Sequence, residues 1–479
     1  MRICQHLDGL CRWRHKKWLI LLAALFELLW FGGYHYGYNA LIYPYKQLGV
    51  FAQMCNVTNQ GCELQERMFH YAFIIWVVTQ MCLITVTGIL MDRVGLRVLK
   101  ITASFMYFLG TLMFAFVNAE TGGMLFVAGI LVALSTTSTL ICNHQISSMF
   151  PKYRGLAISL MSGAFDSSTI VTFIISRIAE KIPLQISFLF VACCGLVFGI
   201  LMALFGLTQW APDMSKKMVT SCSKAEVEFA KGIIIIENNE DNTDANLNVE
   251  DHIQRILQYR YTSLCRCICS WPFFLVTLWF MFGLLRFSYF LNQMGQQLTF
   301  MFGDDADTIN ELRSVSSALL MCGLVISPIS GAVLDVSRAV VNRKLQSKLQ
   351  ETKKETSCLD ELYWIHLRAI APAFLLMAVA AITFSLLNFV KTKPAFFAGF
   401  IFFVILRSLL FSASVNFVLI AFPQRYFGTL NGLVNTVGGI FSLLQYGMLE
   451  LSPVAGNSLA VGIAVVLFVS PVLIFVKRR

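Results

Sequence analysis

The sequence is short of charge. Only 13% of its 479 residues are Asp, Glu, Lys or Arg, against ~25% for a soluble globular chain. Hydrophobic residues make up 57%, and mean hydropathy is +0.68. That scarcity excludes a soluble globular protein. A basic patch is missing too. The net charge of +10 is spread in short clusters between apolar runs, which is a membrane-topology pattern, so no nucleic-acid partner is expected. There is no phosphate-binding loop, no metal-ligand cluster and no nucleophile with a base, so neither an enzyme nor a cofactor is expected. "CRCIC" at 265–269 has the wrong spacing for zinc. It is juxtamembrane, which leaves reversible palmitoylation open beside the plainer reading as helix-end cysteines. The outer loops are short, which leaves a membrane receptor no ligand-binding ectodomain. The first apolar run follows "RWRHKK", but it is too long for a signal-peptide core and lacks a small-residue cleavage site. It reads as a retained first helix.

What is present is apolar length. About 20 apolar residues span the ~30 Å hydrocarbon layer. Twelve such runs occur, at 18–43, 67–91, 98–117, 124–149, 155–177, 186–209, 272–298, 314–334, 367–389, 395–421, 428–450 and 458–476. The fold expected is an all-α membrane protein with twelve transmembrane helices in two six-helix pseudo-repeats. Residues 1–209 form the first half, 210–270 a polar linker on the cytoplasmic side, and 271–479 the second half. With both termini in the cytoplasm, 28 Lys and Arg fall on the inner side and 7 on the outer, as the positive-inside rule requires. The outer loop 44–66 holds the sole N-x-S/T sequon, at Asn56, and the only two outer cysteines, Cys55 and Cys62. A glycan on Asn56 and a Cys55–Cys62 bridge are expected there.

The halves repeat one another. "TGILMDRVGLR" ends the second run with Gly88 and Asp92; "SGAVLDVSR" ends the eighth with Gly331 and Asp335. "NHQISSMFPKYRG" (143–155) matches "NFVLIAFPQRYFG" (416–428), and "LFELLWF" (25–31) matches "MFGLLRF" (281–287). Asp92 sits at a helix C-terminus, unfavourable for an anion unless it meets a cation or another helix's N-terminus. Such charges can latch the halves together in one state and release them in the other, with Arg93 and Arg97 in the same loop.

The string Gly88…Asp92-Arg93…Gly95…Arg97 resembles the signature loop of the major facilitator superfamily. "SGAFDSST" (162–169), "LRSLLFSASVNFVLIAFPQRYFGTLNGLV" (406–434) and "FSLLQY" (441–446) resemble solute carrier family 43, over nearly all the membrane-spanning chain. That family holds facilitative transporters, one branch for large neutral amino acids and one for nucleobases. The string Gly163-Ala164-Phe165-Asp166-Ser167-Ser168 is similar to the nucleobase branch. The resemblance implies a plasma-membrane facilitator working by alternating access on a small solute. It also implies a central cavity lined by the first, fourth, seventh and tenth helices.

Polar residues on those helices are the substrate-binding candidates. They are Glu27, Tyr34 and Tyr38 on the first; Thr137 and Asn143 on the fourth; Arg286, Tyr289 and Asn292 on the seventh; and Arg407, Ser408 and Asn416 on the tenth. Tyr34, Tyr36 and Tyr38 cannot all face one way on a helix. Asp166, at mid-depth of the fifth run, joins the set because an intramembrane carboxylate is costly unless paired. Two acids lie in the first half and two arginines in the second. This predicts two ion pairs across the centre, Asp166 with Arg407 and Glu27 with Arg286.

Overall fold

A computed structural model describes residues 17–55, 63–209, 245–303, 305, 308–309, 312, 323–352 and 359–476. Asn56 and Cys62 lie outside the described residues. Cys55 is disulfide-bonded.

Every described element is helical, as hydrocarbon requires, because a helix bonds its own backbone where water cannot. Eleven helices are long and apolar enough to cross a membrane, and a bent pair makes a twelfth. In chain order they are α1 Lys17–Gln47, α2 Arg67–Val94, α3 Leu96–Ala115, α4 Met124–Met149, α5 Pro151–Ile178, α6 Leu184–Gly206, α7 Trp271–Phe302, α8 Gly323–Lys348, α9 (Asp360–Leu367 with Ala371–Leu387, bent by 40°), α10 Lys393–Ala421, α11 Gln424–Leu449 and α12 Pro453–Val476.

Local chemistry starts these helices. Ser270, Thr392 and Ser452 each cap a span, accepting the backbone N–H three residues on. A proline stands in the first turn of α7, α10 and α12, where its missing N–H costs nothing. Gly95 sits at φ +95° between α2 and α3, and a Cβ there would lie 2.5 Å from the Gln209 carbonyl oxygen.

α1 departs from a plain helix. Its first α-helical stretch ends at Phe31, Tyr34–Leu41 is a 3₁₀ helix that presses on α5, and Ile42–Gln47 is α-helical again. A Cβ on Gly37 would lie 2.1 Å from Thr172 Oγ1, and one on Gly33 would lie 2.9 Å from the Phe165 ring. The interior is aromatic, with Trp279 stacked on Phe374 at 3.8 Å and Phe374 on Phe417 at 5.5 Å. The outer surface is a belt of exposed Leu22, Phe190, Val197, Val325, Ile329 and Val472, suited to lipid.

Before α7 the described chain forms two further helices. The helix Ala245–Arg260 buries Ile253, Ile256 and Leu257, at helical spacing, with Leu345 and Leu362 in the same apolar core. Arg260 pairs with Asp360 and lies 4.4 Å from the Tyr363 ring centre. Arg425 donates to the Tyr261 and Thr262 carbonyls. Residues 245–262 are therefore fixed to the last six helices rather than strung free between the halves.

Candidate functional site

The two halves meet at a polar cluster between α5 and α10. Arg407 Nη2 donates to Asp166 Oδ1 at 2.7 Å, and each side chain is 12% exposed. The Arg407 guanidinium stands 5.5 Å from the Phe287 ring centre. Its Nε has no protein partner. Tyr36, from the 3₁₀ segment of α1, lies within electrostatic reach of both charges and packs on Phe165. Its hydroxyl donates to Gln80 Oε1 at 3.2 Å; His35 Nε2 meets the same oxygen at 3.3 Å; Gln80 Nε2 donates to Thr137 Oγ1. α1, α2, α4, α5, α7 and α10 thus bring ring faces, an amide, hydroxyls and one neutral ion pair to one place.

Of the expected site residues, Asp166, Arg407 and Thr137 meet here. The expected Glu27–Arg286 pair does not form. Glu27 accepts instead from Lys100 Nζ at 2.7 Å and Asn143 Nδ2 at 2.8 Å, all three buried inside the first half. Lys100 is 0% exposed and lies in α3, near the start of the third apolar run. Glu27 is thus paired within its own half. Arg286, 0% exposed, turns from the centre toward α9. Its Nε donates to Ser385 Oγ at 2.8 Å, and its guanidinium covers the Phe384 ring at 4.3 Å.

The remaining candidates are held in packing. A 3₁₀ helix turns by about 120° per residue, so Tyr34, Tyr36 and Tyr38 point three ways. Tyr34 bonds Thr111, Tyr38 packs on Trp76, and Tyr36 bonds Gln80 within electrostatic reach of the ion pair. Tyr289 lies in an apolar cluster with Met448 and Ile463. Asn292 donates to Gln445 on α11, Ser408 accepts from Ser330 on α8, and Asn416 donates to the Ser412 carbonyl of its own helix. Gln80, His35 and Lys100 were absent from the expectation. Gln80 carried a readable signal, as an amide in the middle of "IIWVVTQMCLITV" (74–86).

A second set of contacts joins the halves at the end that carries the α6–α7 connection. Asp92 accepts from Gly428 N, Thr429 N and Thr429 Oγ1 at 2.7–2.9 Å. Asp335 accepts from Gly155 N at 2.7 Å and Leu156 N at 2.9 Å. Asp92 lies in the last turn of α2, whereas Asp335, expected to end the eighth run, stands midway along α8, whose helix continues to Thr352; each meets the start of a helix in the other half. There the first N–H groups lack partners and the dipole favours an anion. The crossings are close: a Cβ on Gly88 would lie 2.0 Å from Gly428 O, and one on Gly331 would lie 2.5 Å from Leu156 Cα. Arg97 donates to the carbonyls of Ala203 in α6 and of Leu207 just after it.

The Major Facilitator Superfamily model matches residues 17–445. The chain is 25% identical to equilibrative nucleobase transporter 1 of Bos taurus, over 95% of each. It is 22% identical to the large neutral amino acids transporter small subunit 3 of Homo sapiens, over 95% of this chain and 91% of that one. Among solved structures it is similar to the major facilitator proton:xylose symporter XylE bound to 6-bromo-6-deoxy-D-glucose. The TM-score is 0.57 at 13% identity, covering 97% of this chain and 96% of the other; this is a likeness of fold. The chain belongs to the major facilitator superfamily and is a multi-pass membrane transporter.

Proposed function

We propose that this transporter carries purine nucleobases down their gradient by alternating access in the plasma membrane. The termini and the α6–α7 connection lie on the cytoplasmic side in this reading. Asp92 and Asp335 then hold the cytoplasmic side closed, and their release lets the halves rock open around the central cluster.

The state of charge at that cluster carries the reading. It offers one carboxylate and one guanidinium, bonded to each other, beside the rings of Tyr36, Phe165 and Phe287. A neutral planar base can stack on such rings and hydrogen-bond along its edge to Gln80 and Tyr36 while the ion pair stays whole. An amino-acid zwitterion needs a separate anion and cation and would have to part the pair. The similarity to the bovine relative named for nucleobases supports the same reading. Large neutral amino acids are the runner-up, favoured by the similarity to the human relative.

Uptake of labelled adenine, guanine, hypoxanthine and leucine into cells lacking their own carriers tests this. Saturable purine uptake, with release from preloaded cells, is expected. Uptake of leucine alone reverses the substrate class. Accumulation above equilibrium that a protonophore collapses replaces facilitation with proton coupling.

A further inference from the structure

The cysteines just before α7 are arranged unequally. The short helix Leu264–Ile268 continues one residue further, because Cys269 N donates to the Cys265 carbonyl at 2.9 Å. Cys265 and Cys269, four residues apart, share one helix face and are both exposed. Cys267 points the opposite way into the core. Its thiol is pushed up to about 11 by burial, so it stays protonated and unreactive. Immediately after, Trp271 and Phe274 are exposed and stacked on one another at 5.3 Å, like the aromatic girdle at a bilayer boundary. The other exposed free cysteines among the described residues, Cys82 and Cys193, lie inside α2 and α6, where lipid separates them from any water-borne reagent.

We propose that Cys265 and Cys269 form a paired S-acylation site, each taking a long-chain fatty acyl group. The acyl chains enter the membrane beside Trp271 and Phe274. The acyl donor is a long-chain acyl-CoA. The cysteine sulfur attacks the thioester carbonyl, the bond from that carbonyl to the CoA sulfur breaks, and CoA leaves as its thiol with the cysteine's proton. No oxidant or reductant is needed. The site requires this end of the bundle to face the cytoplasm, as the proposed function does, but it does not depend on the substrate carried.

The test is acyl exchange on the full-length protein expressed in cells. Thioesters are cleaved with hydroxylamine and the freed thiols tagged with a polyethylene-glycol maleimide. The wild type should show a hydroxylamine-dependent ladder. Cys265→Ser and Cys269→Ser should each lose one step, their double variant two, and Cys267→Ser none. A ladder unchanged in the double variant, or no hydroxylamine-dependent step in the wild type, overturns the proposal. So does labelling of Cys265 by a membrane-impermeant maleimide in sealed cells, which would put this end outside. Purine uptake by the double variant separates the two readings, since loss of the ladder with uptake retained leaves the transport reading untouched.

Discussion

The two six-helix halves solve one position in opposite ways. In the first, Glu27 on α1 meets Lys100 on α3, and Asn143 on α4 bonds both. The aligned strings "LFELLWF" and "MFGLLRF" put Gly283 opposite Glu27. A Cβ on Gly283 would lie 2.6 Å from Met377 Cε on α9. Asn416, the counterpart of Asn143, bonds only its own helix. An ion pair in one half is therefore a methionine against a glycine in the other. At the end that carries the α6–α7 connection the halves stay alike, Asp92 and Asp335 each meeting a helix start across the interface. Interiors tolerate either solution because each is self-contained, whereas the interface contacts require both halves to match.

The largest effect is expected where a buried pair loses one member. Glu27→Ala or Lys100→Ala should cost ~3–5 kcal/mol, because a charge is left unpaired in the core. Either should lower expression and thermal stability in detergent. The double variant Glu27→Leu with Lys100→Met replaces the pair by apolar side chains, as the second half does without a charge there, and should recover most of that loss. Recovery stays incomplete by ~1–3 kcal/mol, since the Asn143 amide loses both partners. A double variant as unstable as the singles would show that apolar packing cannot stand in for the pair.

Asp166 and Arg407 form the corresponding pair across the halves, and here function is at stake as well as folding. Asp166→Ala and Arg407→Ala should each abolish uptake. Combining them should restore surface expression better than either alone, with a coupling energy in the range of ~0.5–3 kcal/mol seen for contacting residues. Zero coupling in heat-challenged, surface-expressed protein would instead make Asp166 a direct substrate contact. Asp166→Asn would then fold well and shift substrate preference.

The two aspartate contacts across the interface differ in their number of bonds. Asp92 accepts three hydrogen bonds and Asp335 two. Each bond to a charged group is worth ~1.5–3 kcal/mol, so Asp92→Asn should reduce uptake more than Asp335→Asn. Surface expression should stay close to wild type in both. Normal uptake by Asp92→Asn would remove the latch role.

Span number, duplicated halves and the Asp166–Arg407 pair were legible because each is a property of depth and order along the chain. The apolar runs and repeated strings fixed which residues lie level. Direction around the helix axis was not legible. Tyr34 and Tyr38 were candidates on the assumption of an α-helix, and the 3₁₀ turn after Gly32-Gly33 sends them into the first half and brings Tyr36 to the centre. Lys100 lies within the third apolar run but was counted with the inner-side basic residues, so it was not weighed as a partner for Glu27. Arg286 was assigned to Glu27 by charge alone, when Glu27 had a nearer cation in its own half.

Arg286 gives the smallest expected effect and the sharpest test of the comparison. Among the described residues no carboxylate pairs with it. Its Nε holds Ser385 Oγ, its face covers Phe384, and Nη1 and Nη2 have no protein partner. Ser385 keeps a bond to the Ala381 carbonyl whether or not the arginine is present. Removing this side chain therefore strands no opposite charge, unlike removal of Lys100. Methionine fills a similar length and suits the aromatic surroundings. Arg286→Met should leave thermal stability within ~1 kcal/mol of wild type or above it, since replacing buried charge by packed apolar groups is often neutral or stabilising. Uptake should follow surface expression. If Arg286→Met unfolds as readily as Lys100→Ala, Arg286 meets an anion inside the second half. That half would then hold a compensated charge, as the first does, and the contrast between them would fail.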